Sequence, residues 1–162
     1  MRQRTSSRPK PSISPLDAGL RLLGRRAHSR VELRRKLGRK GYTEAETEAA
    51  LGRLVELGYL DDQSFAEGLV RRRGAIRGPL ALSAELAARG IDRAQADIAL
   101  AGFDVEAQVA AATRLAERLY ATKPQAGYRD MLNAVGSRLL RRGFSASVVR
   151  AACRAALPGT ED

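Results

Sequence analysis

The sequence predicts an all-α protein built from three tandem three-helix repeats that form an elongated, curved molecule. Apolar residues make up 44% of the 162 residues but aromatic residues only 4%, without tryptophan, which indicates a core of Leu, Ala and Val and favours helices over sheets. No stretch of the sequence has the strict alternation typical of a strand. One helix-ending turn occurs three times, which is typical of a repeat protein.

The recurring turn consists of a basic residue, a glycine, a large apolar residue and a residue that can cap the next helix. The cation faces the negative end of the preceding helix, and glycine adopts the left-handed conformation beyond that end with little strain. The glycines are 49 and 53 residues apart, a period typical of stacked modules. The copies are KGYT at 40–43, RGID at 89–92 and RGFS at 142–145, and positive φ is expected at Gly41, Gly90 and Gly143.

Capping residues and a second kind of break set the other boundaries. Ser14 can cap the first helix, and Glu46 and Gln95 each follow a capping residue by three positions, which predicts two capping boxes. Gly58 and Gly102 end further helices. We expect helices near 15–26, 29–40, 43–57, 62–76, 79–89, 92–101, 105–121, 127–142 and 145–157. The predicted domains are a disordered basic arm at 1–13, three-helix repeats at 14–60, 61–103 and 104–157, and a tail at 158–162.

The charge distribution indicates an anionic partner. The net charge is +11 and the pI is near 10.9. In the helix at 29–40, Leu33 and Leu37 are expected to form the buried stripe and six cations occupy the remaining surface, more than complementation of the helix dipole requires. The predicted partner- and nucleic-acid-binding residues are Arg25, Arg26, Arg30, Arg34, Arg35, Lys36, Arg39, Lys40, Arg71, Arg72, Arg73, Arg77, Arg138, Arg141 and Arg142.

The composition also excludes several classes of function. One cysteine and one histidine rule out an intramolecular disulfide and the usual zinc sites. Cys153 is expected in the core, and His28 at the surface or stapled beside a helix start. Phosphate-binding GxxxxGK[ST] and GxGxxG patterns are missing, so we expect no enzyme activity, no metal and no cofactor. Without an apolar run long enough for a membrane span or a signal peptide, a cytoplasmic protein is expected.

Four runs of sequence resemble the RecX family of recombination regulators. They are SRVELRRKLGRKGY at 29–42, LGYLDDQSFAEGLVRRR at 57–73, GPLALSAELAARGI at 78–91 and RLLRRGFSASVV at 138–149. The second run is the most specific. The residues expected to have structural roles are Gly41, Gly58, Asp61, Asp62, Phe65, Gly90, Gly102 and Gly143.

The resemblance implies a non-catalytic protein that binds in the helical groove of the RecA–DNA filament. It implies inhibition of RecA's ATPase and strand-exchange activities, through blocked filament growth or promoted disassembly, and thereby a role in DNA repair, recombination and the SOS response. A weaker direct affinity for single-stranded DNA is implied as well, with double-stranded DNA left open. A monomer is expected.

Two alternatives come from other classes of protein. Two helices joined by a glycine turn are also found in helix-turn-helix transcription factors, although three tandem copies without a dimerisation segment are unusual for them. The second alternative is an adaptor whose basic faces bind acidic proteins and never nucleic acid.

The repeat organisation predicts a measurable shape. A compact globule of this length would have a radius of gyration of about 15 Å. We expect solution X-ray scattering to give a clearly larger value at a monomer's mass, because three modules in series extend the molecule. A radius near that of the globule would contradict the elongated shape.

Overall fold

The computed structural model describes residues 12–121 and 127–157, and within these ranges every regular element is an α-helix. The all-α class and the three-helix repeats are therefore confirmed. Residues 1–11 of the arm predicted at 1–13, and the whole of the tail predicted at 158–162, lie outside the described residues. The helices are α1 Pro15–Leu23, α2 Arg30–Arg39, α3 Glu44–Glu56, α4 Asp62–Arg73, α5 Pro79–Ala88, α6 Arg93–Ala101, α7 Val105–Tyr120, α8 Tyr128–Arg141 and α9 Ala146–Ala155.

Two helices end three residues earlier than the sequence pattern predicts. α1 ends at Leu23 rather than near residue 26, and α4 ends at Arg73 rather than near residue 76. A glycine follows each, Gly24 and Gly74, and glycine is a poor helix former. Both helices therefore end where the low helix propensity of glycine opposes their continuation.

Side-chain caps start most of the helices as the sequence predicts. Thr43 and Glu46 form the full capping box at the start of α3. The second expected box is only half formed: the Asp92 carboxylate accepts the Gln95 backbone N–H at 2.9 Å, and within the described residues no return bond from the Gln95 side chain accompanies it. One bond from an aspartate cap is sufficient to start a helix.

The described chain forms two compact units, each with its own core. The first extends to Phe65 and includes Arg89–Ile91; the second contains Ala66–Ala88 and the described residues from Asp92 onward. In the first unit, α1, α2 and α3 enclose leucines that are fully buried: Leu33, Leu37, Leu51 and Leu54. In the second unit, α7, α8 and α9 enclose a cluster of Met131, Val135, Leu139, Phe144, Val149 and Cys153.

Cys153 and His28 have different outcomes. Cys153 is fully buried as expected, and burial raises the pKa of its thiol. A surface position for His28 is wrong, because its exposed fraction is only 3%. Its neighbour Ser29 is covered by the turn at Arg89, 60 residues later in the chain, a contact that the local pattern does not contain.

A recurring contact, which we call the repeat junction, joins a glycine turn to the start of an earlier helix. In the first unit, the Ser29 hydroxyl donates to the Arg89 backbone carbonyl at 2.6 Å. Gly90 then passes so close to α2 that a Cβ on it would lie 2.5 Å from Val31 Cγ2. Gly90 also has φ +78°, so both the backbone conformation and the available space require glycine.

The second unit contains the equivalent junction, one repeat further along. The Gly78 backbone N–H donates to the Arg142 carbonyl at 2.8 Å, where Gly78 and Arg142 occupy the places of Ser29 and Arg89. A Cβ on Gly143, whose φ is +88°, would lie 2.3 Å from the Ala81 backbone nitrogen. The turn glycine of the first repeat, Gly41, has φ +98°, and among the described residues a Cβ on it would meet no atom within 4 Å. The expected positive φ at all three turns is confirmed.

The three turn glycines should differ in their tolerance of alanine. Gly41→Ala should lower the free energy of unfolding by about 1 kcal/mol, the cost of positive φ alone. Gly143→Ala should cost about 2–4 kcal/mol, because a methyl group there also collides with backbone. Gly90→Ala should fall between them, since its neighbour is a side chain that can shift. Urea unfolding followed by circular dichroism gives all three values, and equal losses would contradict the repeat junction.

Candidate nucleic-acid and partner interface

The basic helix α2 owes its orientation to its two buried leucines. Ser29 caps it by accepting the Glu32 N–H at 3.1 Å, and Leu33 and Leu37 are fully buried. Residues four apart lie on one helix face, so Arg35 and Arg39 lie together on the side away from the leucines. The helix thus holds a basic surface in a fixed position over the core of the first unit.

Two of the helix's cations are engaged by α3. The Glu48 carboxylate pairs with the Arg34 Nε and with the Arg30 guanidinium at 3.1 Å. Hydrogen bonds from Arg34 and then Arg30 lower the pKa of Glu48 to about 2. The side chains of Glu48, Arg30 and Arg34 remain more than one-third exposed. The two ion pairs therefore orient the arginines more than they stabilise the fold.

The remaining cations of this helix have no carboxylate partner in the described part of the chain. Arg35, Arg39 and Lys40 are exposed and Lys36 is half-buried. With no internal acid to neutralise them, these four side chains can bind external anions such as phosphates or carboxylates.

A second charged cluster lies where α2 begins. Arg26 and His28 each approach Glu32 Oε2 at 3.3 Å, and Arg89 approaches Glu32 Oε1 at 2.8 Å. Burial lowers the pKa of His28, and Arg26 lowers it further. Burial opposes ionisation of Glu32, but Arg26 and Arg89 outweigh it and the pKa of that carboxyl lies below its ordinary value. Arg26 therefore belongs to the structure around the junction, whereas the neighbouring Arg25 is exposed without a carboxylate partner in the described ranges.

The acidic residues that follow the first repeat have structural positions. Asp61 caps α4 by accepting the backbone N–H groups of Gln63 and Ser64, and its hydrogen bonds from Ser64 lower the pKa of its carboxyl. Asp62 accepts the Arg30 backbone N–H at 2.7 Å. Phe65 is buried, with the Arg89 guanidinium 5.9 Å from its ring centre.

In the second and third repeats, too, some cations are engaged by other groups of the fold and others are exposed. Arg73 and Arg77 lie near Glu85, at 3.7 and 3.8 Å, and Arg142 donates to the Ile76 carbonyl at 3.2 Å. Four others are exposed and lack a carboxylate partner within the described residues: Arg71, Arg72, Arg138 and Arg141.

The structure adds residues that the sequence did not indicate for this surface. Glu48 pairs with Arg30 and Arg34, so these two arginines are engaged within the fold. Arg89 pairs with Glu32 across the repeat junction. Arg89 carried a signal, since it precedes a turn glycine as Lys40 and Arg142 do. Glu48 carried none, because its partners lie 14 and 18 residues away on another helix.

Comparison with known proteins identifies the family. Two family models match the chain: RecX, first three-helix domain, at residues 16–54, and RecX, second three-helix domain, at residues 61–100. The regulatory protein RecX of Stenotrophomonas maltophilia is 36% identical over 144 residues, which cover 87% of this chain and 86% of the relative. The chain belongs to the RecX family.

Other RecX proteins are similar in sequence and in fold. The regulatory protein RecX of Halorhodospira halophila is 40% identical over 141 residues, 86% of each chain. The crystal structure of RecX from Lactobacillus salivarius superposes with a TM-score of 0.78 at 26% identity, covering 88% of this chain and 94% of that one. The matched RecX domains coincide with α1–α3 and α4–α6.

Within the described residues, no cluster of three or more His, Cys, Asp or Glu side chains could hold a metal ion. None of the described helices is both long and apolar enough to cross a membrane.

The engagement of Glu48 can be tested by titration. Its pKa is lowered from 4.5 in the folded state, so the contribution of the cluster to stability should be complete above about pH 4.5 and be lost as the pH falls towards about 2. Carboxyl carbon NMR should place the Glu48 midpoint near pH 2, and Arg34→Gln should raise it. Arg35→Gln, on the outer face, is the control and should leave the midpoint unchanged; an unchanged midpoint in Arg34→Gln would contradict the pairing.

Proposed function

We propose that this chain binds the RecA–DNA filament and inhibits RecA's ATPase and strand-exchange activities, without catalysing a reaction or using a cofactor. In this proposal it acts as a cytoplasmic monomer and has a weaker direct affinity for single-stranded DNA. Membership of a family named as regulatory proteins supports the class of function. The observation that carries the proposal is the set of cations on α2 without a carboxylate partner in the described chain.

These cations suit a polyanionic partner. Arginine forms paired hydrogen bonds with phosphates and carboxylates, and Arg35 and Arg39 lie one turn apart on the outer face of α2. A DNA strand releases counterions when such side chains bind it, which makes the affinity sensitive to salt. Because Arg30 and Arg34 are engaged by Glu48, the partner is expected to contact the face carrying Arg35 and Arg39.

The distribution of the cations favours a filament over an isolated strand. Exposed cations without a carboxylate partner in the described residues occur in every repeat, on α2, α4 and α8. A filament repeats the same surface along its length. Several weak contacts therefore form together, and they raise the affinity for the filament above the affinity for a free RecA subunit. Bound protein could then obstruct strand entry within the groove or subunit addition at a filament end.

The direct test is RecA's ATPase rate on single-stranded DNA while this protein is titrated in. We expect the rate to fall, while the protein alone hydrolyses no ATP. A parallel titration with added DNA distinguishes filament inhibition from sequestration of the strand. A rate that never falls, or falls only in proportion to DNA coverage, would reject filament regulation and leave plain DNA binding.

The double variant Arg35→Glu/Arg39→Glu should weaken inhibition and DNA binding while leaving the helical circular-dichroism signal intact. If two phosphate contacts are lost, the slope of log affinity against log salt should decrease by about 1.4 for a single strand. The matched control is Arg53→Glu/Arg93→Glu, which changes the net charge equally at exposed residues paired locally with Glu56 and Asp97. Equal losses in both variants would mean that only net charge matters.

The same experiments separate the alternative classes. A footprint on one duplex sequence would favour a helix-turn-helix transcription factor. Binding to RecA with no affinity for any DNA at low salt would favour an adaptor for acidic proteins.

A further inference from the structure

A groove in the second compact unit has an apolar floor that the basic surfaces of the proposed function do not include. It has a volume of about 520 Å³ and lies between α4, the turn that joins α6 to α7, and α7 itself. All of its lining residues belong to this one unit.

The floor of the groove is aliphatic. Val70, Ala99 and Ala111 are buried within it. The edge of the Phe103 ring lies beside the residue that follows α4, where a Cβ on Gly74 would lie 3.3 Å from Phe103 Cζ. Ile98 is 61% exposed at the edge of the groove. A large aliphatic side chain beside a concave apolar surface is typical of a binding site for another apolar group.

The rim carries charge of both signs. Arg71 on α4 and Arg114 on α7 are exposed and, in the described part of the chain, have no carboxylate partner. Glu67 lies on the same rim, one turn before Arg71. The groove therefore has an apolar floor with two arginines on its rim, and the carboxylate of Glu67 lies on the same rim.

This arrangement fits a peptide better than a nucleic acid strand. Sites for single strands use exposed aromatic faces for base stacking along a continuous basic groove. Here the lining has a single aromatic residue, the half-buried Phe103, and its two arginines share the rim with Glu67 instead of forming a continuous basic surface. An apolar side chain flanked by carboxylates complements both the floor and the two arginines.

We propose that this groove receives a segment of the partner protein that places one large apolar side chain on the floor and one or two carboxylates against Arg71 and Arg114. The inference rests on the proposed function, because it assigns the protein contact of the filament to this groove. In this proposal the chain has two kinds of contact surface. The groove formed by α4, α6 and α7 binds the protein of the filament, and the cations of α2 bind phosphates.

The experiment compares two pairs of exposed substitutions. Ile98→Glu places a carboxylate at the groove, and Val105→Glu makes the same kind of change at a residue that is 66% exposed and outside the lining. Arg114→Glu reverses a rim charge, and Arg118→Glu reverses an exposed charge one turn further along α7, also outside the lining. Because all four side chains are exposed, folding should be preserved, as circular dichroism will verify.

Affinity is measured for two probes: RecA assembled on single-stranded DNA with a slowly hydrolysed ATP analogue, and an oligothymidine strand alone. Ile98→Glu should weaken filament binding by about tenfold, and Arg114→Glu by about fivefold. Neither should change the affinity for the oligothymidine, and the two control variants should bind both probes like the wild type.

Each outcome decides between the two proposals. If the wild type binds the filament and Ile98→Glu binds equally well, the groove proposal is overturned and the proposed function stands. If Ile98→Glu weakens oligothymidine binding as much as filament binding, the groove binds nucleic acid and the peptide proposal is wrong. If the wild type does not bind the filament, the proposed function fails and the groove proposal fails with it.

Discussion

The close approach of a glycine turn to the start of an earlier helix is the contact on which the order of the repeats depends. At each junction a backbone carbonyl, that of Arg89 or Arg142, accepts a hydrogen bond from the residue at the helix start, Ser29 or Gly78. The donor differs, a hydroxyl in one case and a backbone N–H in the other, but the accepting position is the same. A side chain on Gly90 would collide with Val31, and one on Gly143 with Ala81, so the turn could not approach the helix start this closely.

The junctions also decide which cations remain available. Arg89 reaches Glu32 and Arg142 reaches the Ile76 carbonyl because the turns that carry them lie against the preceding helix start. Glu48 engages two further arginines of α2. The high positive charge of the chain is thus a mixture of cations that hold the fold and cations that face outward. The first group is offset only in part by its acids, and the second group presents its full charge to an anionic partner.

Electrostatic and apolar surfaces have different consequences for recognition. Exposed arginines attract any polyanion and speed association, with an affinity that falls as salt rises. An apolar groove such as that beside Phe103 contributes an affinity that depends on shape and is less sensitive to salt. Under the two proposals, this chain would approach a protein filament assembled on DNA quickly and still distinguish the protein component from bare DNA.

The sequence by itself determined the helices, the turns and the set of basic residues. These features are local: helix caps, the positive φ of Gly41, Gly90 and Gly143, and the stripe of Leu33 and Leu37 all depend on residues within about one helical turn of each other. Only the tertiary structure decided that Glu48 engages Arg34, that His28 is buried and that Val70, Ile98 and Phe103 line one groove. Arg34 and Glu48 lie on different helices, and the groove is lined from separate segments of the chain. Their meeting depends on how the helices pack, which no local pattern encodes.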